Sequence, residues 1–166
     1  QRLFILLAVI HDPSILFFDE LSTGLDPVSR QDVWNYVEKL KGQGKTILVS
    51  THYMQEAERI CDRVMLVNKG KIVDAGTAEE LTRKLPFTRV IELECGESQK
   101  KLEETVNKMK GFVGIEKLGE KKFRIYIKPK FSLDALMEEK KLKLTNVQSR
   151  QSNFEDYFYY KVKVKG

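Results

Sequence analysis

The apolar residues of this chain follow two kinds of pattern. Early in the chain they form short unbroken runs, and from Arg89 onward they alternate with polar residues. Residues 2 to 11 repeat apolar positions at helical spacing. Asp12-Pro13 ends that helix, because the proline ring disfavours helical geometry in the residue before it. Ser14 to Phe18 is apolar without alternation, the pattern of a strand covered on both faces in a parallel sheet. Pro27 to Leu40 reads as a helix, with Asp26 as N-cap, Pro27 at its first position and Val33, Tyr36, Val37 and Leu40 on one face. Gly42 and Gly44 close it. Lys45 to Ser50 is a second buried-type strand, and Tyr53 to Cys61 a short helix. Val64 to Val67 and Lys71 to Asp74 are strands joined at Asn68-Lys69-Gly70, a hairpin signal. Residues 78 to 85 are again helical. Strands alternating with helices predict an α/β layer with at least two parallel strands.

The second region predicts a different unit. RVIELEC from Arg89 is an alternating strand and Gln99 to Met109 a helix. GIEKLGEKKFRIYIKP supplies two strands with a turn at Gly119-Glu120. Leu133 to Leu142 is a helix, Asn146 to Gln151 a strand, and residues 154 to 161 a terminal amphipathic helix rich in aromatics. The order β-α-β-β-α-β predicts a small ferredoxin-like α+β sandwich. Pro86 marks the change, giving domains 1–85 and 86–166.

Charge separates the same two regions. Residues 1–85 carry 11 Lys and Arg against 12 Asp and Glu, and residues 86–166 carry 18 against 12. The basic excess therefore lies wholly in the second region. With 42% hydrophobic and 32% charged residues, the 166-residue chain is an ordinary globular one, long enough for one domain or two small ones. Its longest apolar run, residues 3 to 10, is far shorter than the roughly 20 residues a membrane-spanning helix needs. Cys61 and Cys95 show no CxxC or Cys/His spacing, which argues against a disulfide framework or a zinc site.

Function in open α/β sheets gathers at the C-terminal ends of the strands. Asp19-Glu20 and Ser50-Thr51-His52 fall at two such ends. Successive side chains alternate along extended backbone, so the two carboxylates point apart and suit two different jobs. One can hold a hard cation such as Mg²⁺ while the other polarises an attacking water. A histidine on the neighbouring strand end can donate a hydrogen bond to an anion. Taken singly, each feature is also a solvated strand end or a helix cap; their conjunction points to phosphate chemistry.

The same residues carry a family resemblance. ILFFDE resembles the Walker B strand of the ATP-binding cassette ATPases, STGLD their D-loop, and the stretch VSTHYMQEAERICDRVMLVNKGKIVDAGTAEEL their H-loop and the segment after it. The resemblance covers residues 1 to about 84 and implies a partial P-loop NTPase sheet. It implies that Asp19 supports Mg²⁺ at the phosphates of ATP, through water. Glu20 would orient or deprotonate the attacking water, and His52 would contact the γ-phosphate. Asp26 and its turn would reach the opposing subunit at the bound nucleotide. Leu21 and Thr23 depart from the usual Pro and Ser of the family, which bears on the path of the loop.

GxxxxGK[ST], the Q-loop and the LSGGQ-type signature are missing from the 166 residues. In the family, Gln-Arg stands just after the signature, where Gln1-Arg2 begin. The expectation is therefore a C-terminal piece of a longer ATPase, inactive by itself. TNVQSRQSNFEDYFYYK resembles the C-terminal extension of some export-type members, through Phe154, Glu155, Asp156 and Phe158. The extension would be regulatory or dimer-supporting. The implied partners are a transmembrane permease and a second ATP-binding subunit, with cytoplasmic placement at the inner face of the membrane through the permease.

Two other readings exist. The basic second region beside a four-stranded sheet allows a module that binds RNA or another anion. Against it, Phe123 and Tyr126 lie three apart, on opposite strand faces, and many lysines neighbour glutamates, so no nucleic acid is expected. A serine hydrolase built on Ser50, His52 and Asp19 lacks a GxSxG elbow.

Overall fold

The computed structural model describes residues 2–164, so Gln1 lies outside the described residues. The chain folds as two compact units. One comprises the residues up to Leu81 together with those from Lys161 onward, and the other is Thr82–Tyr160.

In the first unit, helix α1 (Arg2–Val9) stops before Asp12, whose φ of 50° leaves helical geometry ahead of Pro13. Strands β1 (Ile15–Asp19) and β2 (Thr46–Ser50) pair in parallel, with Ile15 opposite Thr46 and Asp19 opposite Ser50. Helix α2 (Pro27–Gly42) forms the crossover between them. Asp26 caps it, accepting from the backbone of Val28 and Ser29 at 3.0 Å each, which satisfies two otherwise orphan donors. Lys45 fixes the entry to β2 by donating to Asp12 Oδ1 at 2.5 Å and to the Pro13 carbonyl at 2.8 Å.

One apolar cluster holds this unit. Leu16 and Phe18 of β1 meet Ile5 of α1, Val33, Val37 and Leu40 of α2, and Ile60 of α3 (Met54–Ile60). Strand β1 is not covered on both faces as its unbroken apolar run predicts. Leu16 and Phe18 are buried, but Ile15 and Phe17 are 56% and 73% exposed. The sheet has two strands and the helices build their cluster on one of its faces, so the other face of β1 is open. Leu48 of β2 is likewise exposed.

Strands β3 (Val64–Asn68) and β4 (Lys71–Gly76) form the expected hairpin. Its two-residue turn, Lys69-Gly70, has φ of 49° and 74°, the left-handed geometry that tight hairpins require. Helix α4 (Ala78–Thr82) starts on a reciprocal cap: Glu80 N donates to Thr77 Oγ1 at 3.0 Å, and Thr77 N to Glu80 Oε2 at 2.9 Å. It ends earlier than the predicted residue 85.

The second unit has the expected element order: β5 (Arg89–Cys95), α5 (Gln99–Val106), β6 (Phe112–Lys117), β7 (Lys122–Ile127), α6 (Leu133–Met137) and β8 (Leu144–Gln151). Its sheet order is β6-β7-β5-β8 with every pair antiparallel, the ferredoxin-like arrangement. Ile91 and Leu93 of β5 and Phe123, Ile125 and Ile127 of β7 share one core with Leu102 and Val106 of α5 and Leu136 of α6. The helix predicted to run from Leu133 to Leu142 breaks after Met137, and a 3-10 turn at Lys140–Leu142 leads to Lys143 with φ of 47°. Helix α7 (Phe154–Tyr159) begins on an Asn153/Asp156 capping box, and Arg150 grips Asp156 with two nitrogens at 2.7 and 2.9 Å.

Phe123 and Tyr126 do lie on opposite faces of β7. Phe123 is in the core, whereas the Tyr126 ring lies 4.6 Å from that of Phe87 and its hydroxyl donates to Glu116 at 2.7 Å. Burial, with the Glu116 carboxylate beside it, pushes the Tyr126 hydroxyl up to about 12. Arg124 on the same face binds Glu92 at 2.8 Å and faces Glu116 at 3.7 Å. These side chains pair with one another on this face of β7. Among the described residues no helix is long and apolar enough to cross a membrane.

Candidate active site at two parallel strand ends

The β1–β2 register brings the site together. Asp19, last residue of β1, lies opposite Ser50, last residue of β2, and accepts a hydrogen bond from its hydroxyl. Glu20 follows with φ of 47°, a left-handed conformation that strains a non-glycine residue by about 1–2 kcal/mol. Its N–H donates to the Ser50 carbonyl at 2.9 Å, and its carbonyl accepts from Thr23 N at 3.1 Å. Glu20 thus ends the strand and opens the turn.

Strand alternation is not what separates the two carboxylates, since extended geometry stops at Asp19. The backbone of Glu20 sends its carboxylate to a different partner set. Oε1 lies 3.0 Å from His52 Nδ1, and Oε2 accepts from Thr23 Oγ1 at 3.1 Å. An ionised carboxylate only accepts, so the Nδ1 in this contact carries the hydrogen. His52 Nε2 then accepts when the ring is neutral and donates when it is protonated. Both side chains are about half exposed, at 57% for His52 and 49% for Glu20.

Asp26 stands apart from this group as the cap of α2. Ser29, through side chain and backbone, holds its carboxyl below the usual range. Ser50 and Thr23 are the partners that motif reading left without a role, and the strand register is the signal that points to Ser50. Two further contacts tie α2 to α3 and to Tyr53, the residue before it. The Arg30 guanidinium lies 4.8 Å from the centre of the Tyr53 ring, and that ring lies 4.1 Å from His52. The Trp34 indole donates to the buried Glu56 at 2.9 Å.

Among the described residues, no three His, Cys, Asp or Glu side chains cluster to enclose a metal. Asp19 offers a single carboxylate. That suits Mg²⁺, which keeps several waters and takes one or two carboxylates beside substrate phosphates. Cys61 is half-buried and Cys95 buried, and burial pushes the Cys61 thiol up.

Comparison with known proteins finds relatives for part of the chain. Homologues of part of the chain, at about 40% identity, are ATP-binding proteins of ABC transporters. The "Daunorubicin resistance ATP-binding protein DrrA3" of Streptomyces coeruleorubidus is 43% identical over 81 residues, 49% of this chain and 26% of that protein. The "Nod factor export ATP-binding protein I" of Rhizobium etli is 40% identical over 97 residues, 58% of this chain and 31% of that protein. The "Probable multidrug ABC transporter ATP-binding protein YbhF" of Escherichia coli is 42% identical over 81 residues, covering 49% and 14%. The chain thus spans less than a third of the length of these relatives. A solved chain described as "Structure of ATP binding subunit of ABC transporter" is 32% identical, with a TM-score of 0.40, over 43% of this chain and 30% of that one. No protein-family model matches.

Proposed function

We propose that the chain is part of the ATP-binding, ATP-hydrolysing subunit of an ABC transporter that exports its cargo through a separate transmembrane permease. The observation that carries this reading is the Glu20–His52 contact beside Asp19, at the C-terminal ends of two parallel strands. A relative named for Nod factor export supports the export direction. Residues 1–85 are the ATPase portion, and residues 86–166 a regulatory or dimer-supporting extension. The subunit works in the cytoplasm, pairs with a second ATP-binding subunit, and reaches the membrane through the permease.

The residues have separate roles. Asp19, steadied by Ser50, faces the Mg²⁺ shell. Glu20 orients the attacking water and takes its proton, while Thr23 and His52 restrict where its two oxygens lie. His52, bonded to Glu20 through Nδ1, donates from Nε2 to phosphate only as the imidazolium. Asp26 stiffens the turn that meets the opposing subunit. Mg²⁺, when bound with the nucleotide, supplies charge neutralisation at the phosphate oxygens.

Turnover of Mg-ATP by the full-length protein tests this. Glu20→Gln is expected to lower the rate by about a hundredfold or more, the scale of general-base loss, with ATP binding retained. An unchanged rate in that variant overturns the assignment. The 166 residues alone, without GxxxxGK[ST], are expected to show no turnover.

A further inference from the structure

The site described so far leaves Arg30 unexplained. Arg30 is half-buried at the fourth position of α2, near the positive end of the helix dipole, where a cation is electrostatically disfavoured. Its Nε is buried without a hydrogen-bond partner. One terminal nitrogen reaches the Leu25 carbonyl at 3.5 Å, a long contact in the turn after Glu20. Its guanidinium carbon lies 4.8 Å from the centre of the Tyr53 ring, within cation–π range. That ring in turn lies 4.1 Å from the His52 imidazole at a 36° tilt. Tyr53 is fixed from its other end, since its N–H donates to Thr51 Oγ1 at 3.0 Å.

We propose that Arg30 is a positioning residue for His52, acting through the Tyr53 ring and tying the turn that follows Glu20 to the orientation of the histidine. A guanidinium with an unpaired Nε is held by the ring face rather than by a full set of hydrogen bonds. Without it, Tyr53 loses the cation that settles its ring, and His52 loses a fixed neighbour. Glu20 then holds Nδ1 in a broader range of geometries. The contact set also spans the two segments that carry Glu20 and His52, so a shift of α2 is passed to the histidine.

This inference rests on the ATPase reading, and the test separates the two. In the full-length protein, Arg30→Ala and Tyr53→Leu are each expected to lower kcat about tenfold, within what one desolvated cation–π contact supports. KM for ATP should stay within about twofold, with rates normalised to nucleotide-binding sites so that misfolded protein does not count. The double variant should lose no more than either single one. Tyr53→Phe, which keeps the ring, should recover most of what Tyr53→Leu loses. Independently of catalysis, the His52 ring proton resonances should shift in Arg30→Ala. If wild type turns over ATP, Glu20→Gln does not, and Arg30→Ala changes neither kcat nor the His52 resonances, the positioning role is wrong and the ATPase reading stands. If wild type hydrolyses no ATP, the ATPase reading falls, and the His52 resonances still decide whether Arg30 orients the ring. Should Arg30→Ala fail to fold, Tyr53→Leu against Tyr53→Phe carries the same decision.

Discussion

Two aspartates show how differently the two units use a carboxylate. Asp19, at the open end of β1, is exposed and accepts from the Ser50 hydroxyl. Asp156, at the start of α7, is 3% exposed and receives two nitrogens of Arg150 and the N–H of Asn153. The first is placed where something else can reach it; the second is enclosed by its own unit. Apolar residues divide in the same way. Phe17 is exposed on β1, whereas Phe123 is buried on β7. The second unit completes its core with its own elements, while β1 carries more apolar side chains than its unit's core takes up.

The largest expected effect tests that contrast. Phe123→Ala should destabilise the chain by about 3–5 kcal/mol in urea unfolding, since it leaves a cavity among Ile91, Leu93, Ile125 and the helices. Phe17→Ala should change stability by about 0.5 kcal/mol or less, as exposed substitutions do. A large loss from Phe17→Ala would mean that its face of β1 is covered in solution.

A smaller effect probes the paired charges of the second unit. The Arg124 guanidinium, bonded to Glu92 at 2.8 and 3.1 Å, holds the Glu92 carboxyl below its usual value. The unfolded chain therefore binds more protons in mild acid. Stability from this pair is fully present above the ordinary glutamate range and is lost as the pH falls through the lowered value. On acidification from pH 7, wild type should lose more stability than Glu92→Gln, which has no carboxylate to protonate. Equal acid losses in the two proteins would remove Glu92 from the account.

The contrast also explains what was legible in the sequence. Alternation in RVIELEC and KFRIYI encodes one buried and one polar face, and the sheet follows it except at Val90, which is buried on the face of Glu92 and Glu94. An unbroken run such as ILFF says only that both faces tolerate apolar residues, so it overstated the burial of Ile15 and Phe17. Asp19, Glu20 and His52 were legible because motif and strand end coincide. The partners were not, since Ser50 depends on register and Thr23 on a left-handed Glu20 that local pattern does not announce. Arg30 was hidden for a related reason, as its contacts run through the ring of Tyr53, the residue that precedes α3. The end of α6 is not legible in the same way, because buried Leu136 and buried Leu142 flank a charged run whose pattern does not show the break after Met137.

Asp26 offers the smallest and most discriminating change, because its cap is visible and its reach toward another subunit is proposed. Asp26→Ala removes the acceptor for Val28 and Ser29 and should lower the melting temperature by a few degrees. Asp26→Ser keeps a side-chain oxygen at the cap and should restore most of that loss. The two variants therefore separate the roles in the full-length protein. If capping is all that Asp26 does, turnover will follow stability, and Asp26→Ser will match wild type in both. If its carboxylate also acts at the opposing subunit, Asp26→Ser will melt like wild type yet turn over ATP more slowly. A stable but slow Asp26→Ser variant would set Asp26 beside Asp19, as an acid placed for something outside its own unit, rather than beside the enclosed Asp156.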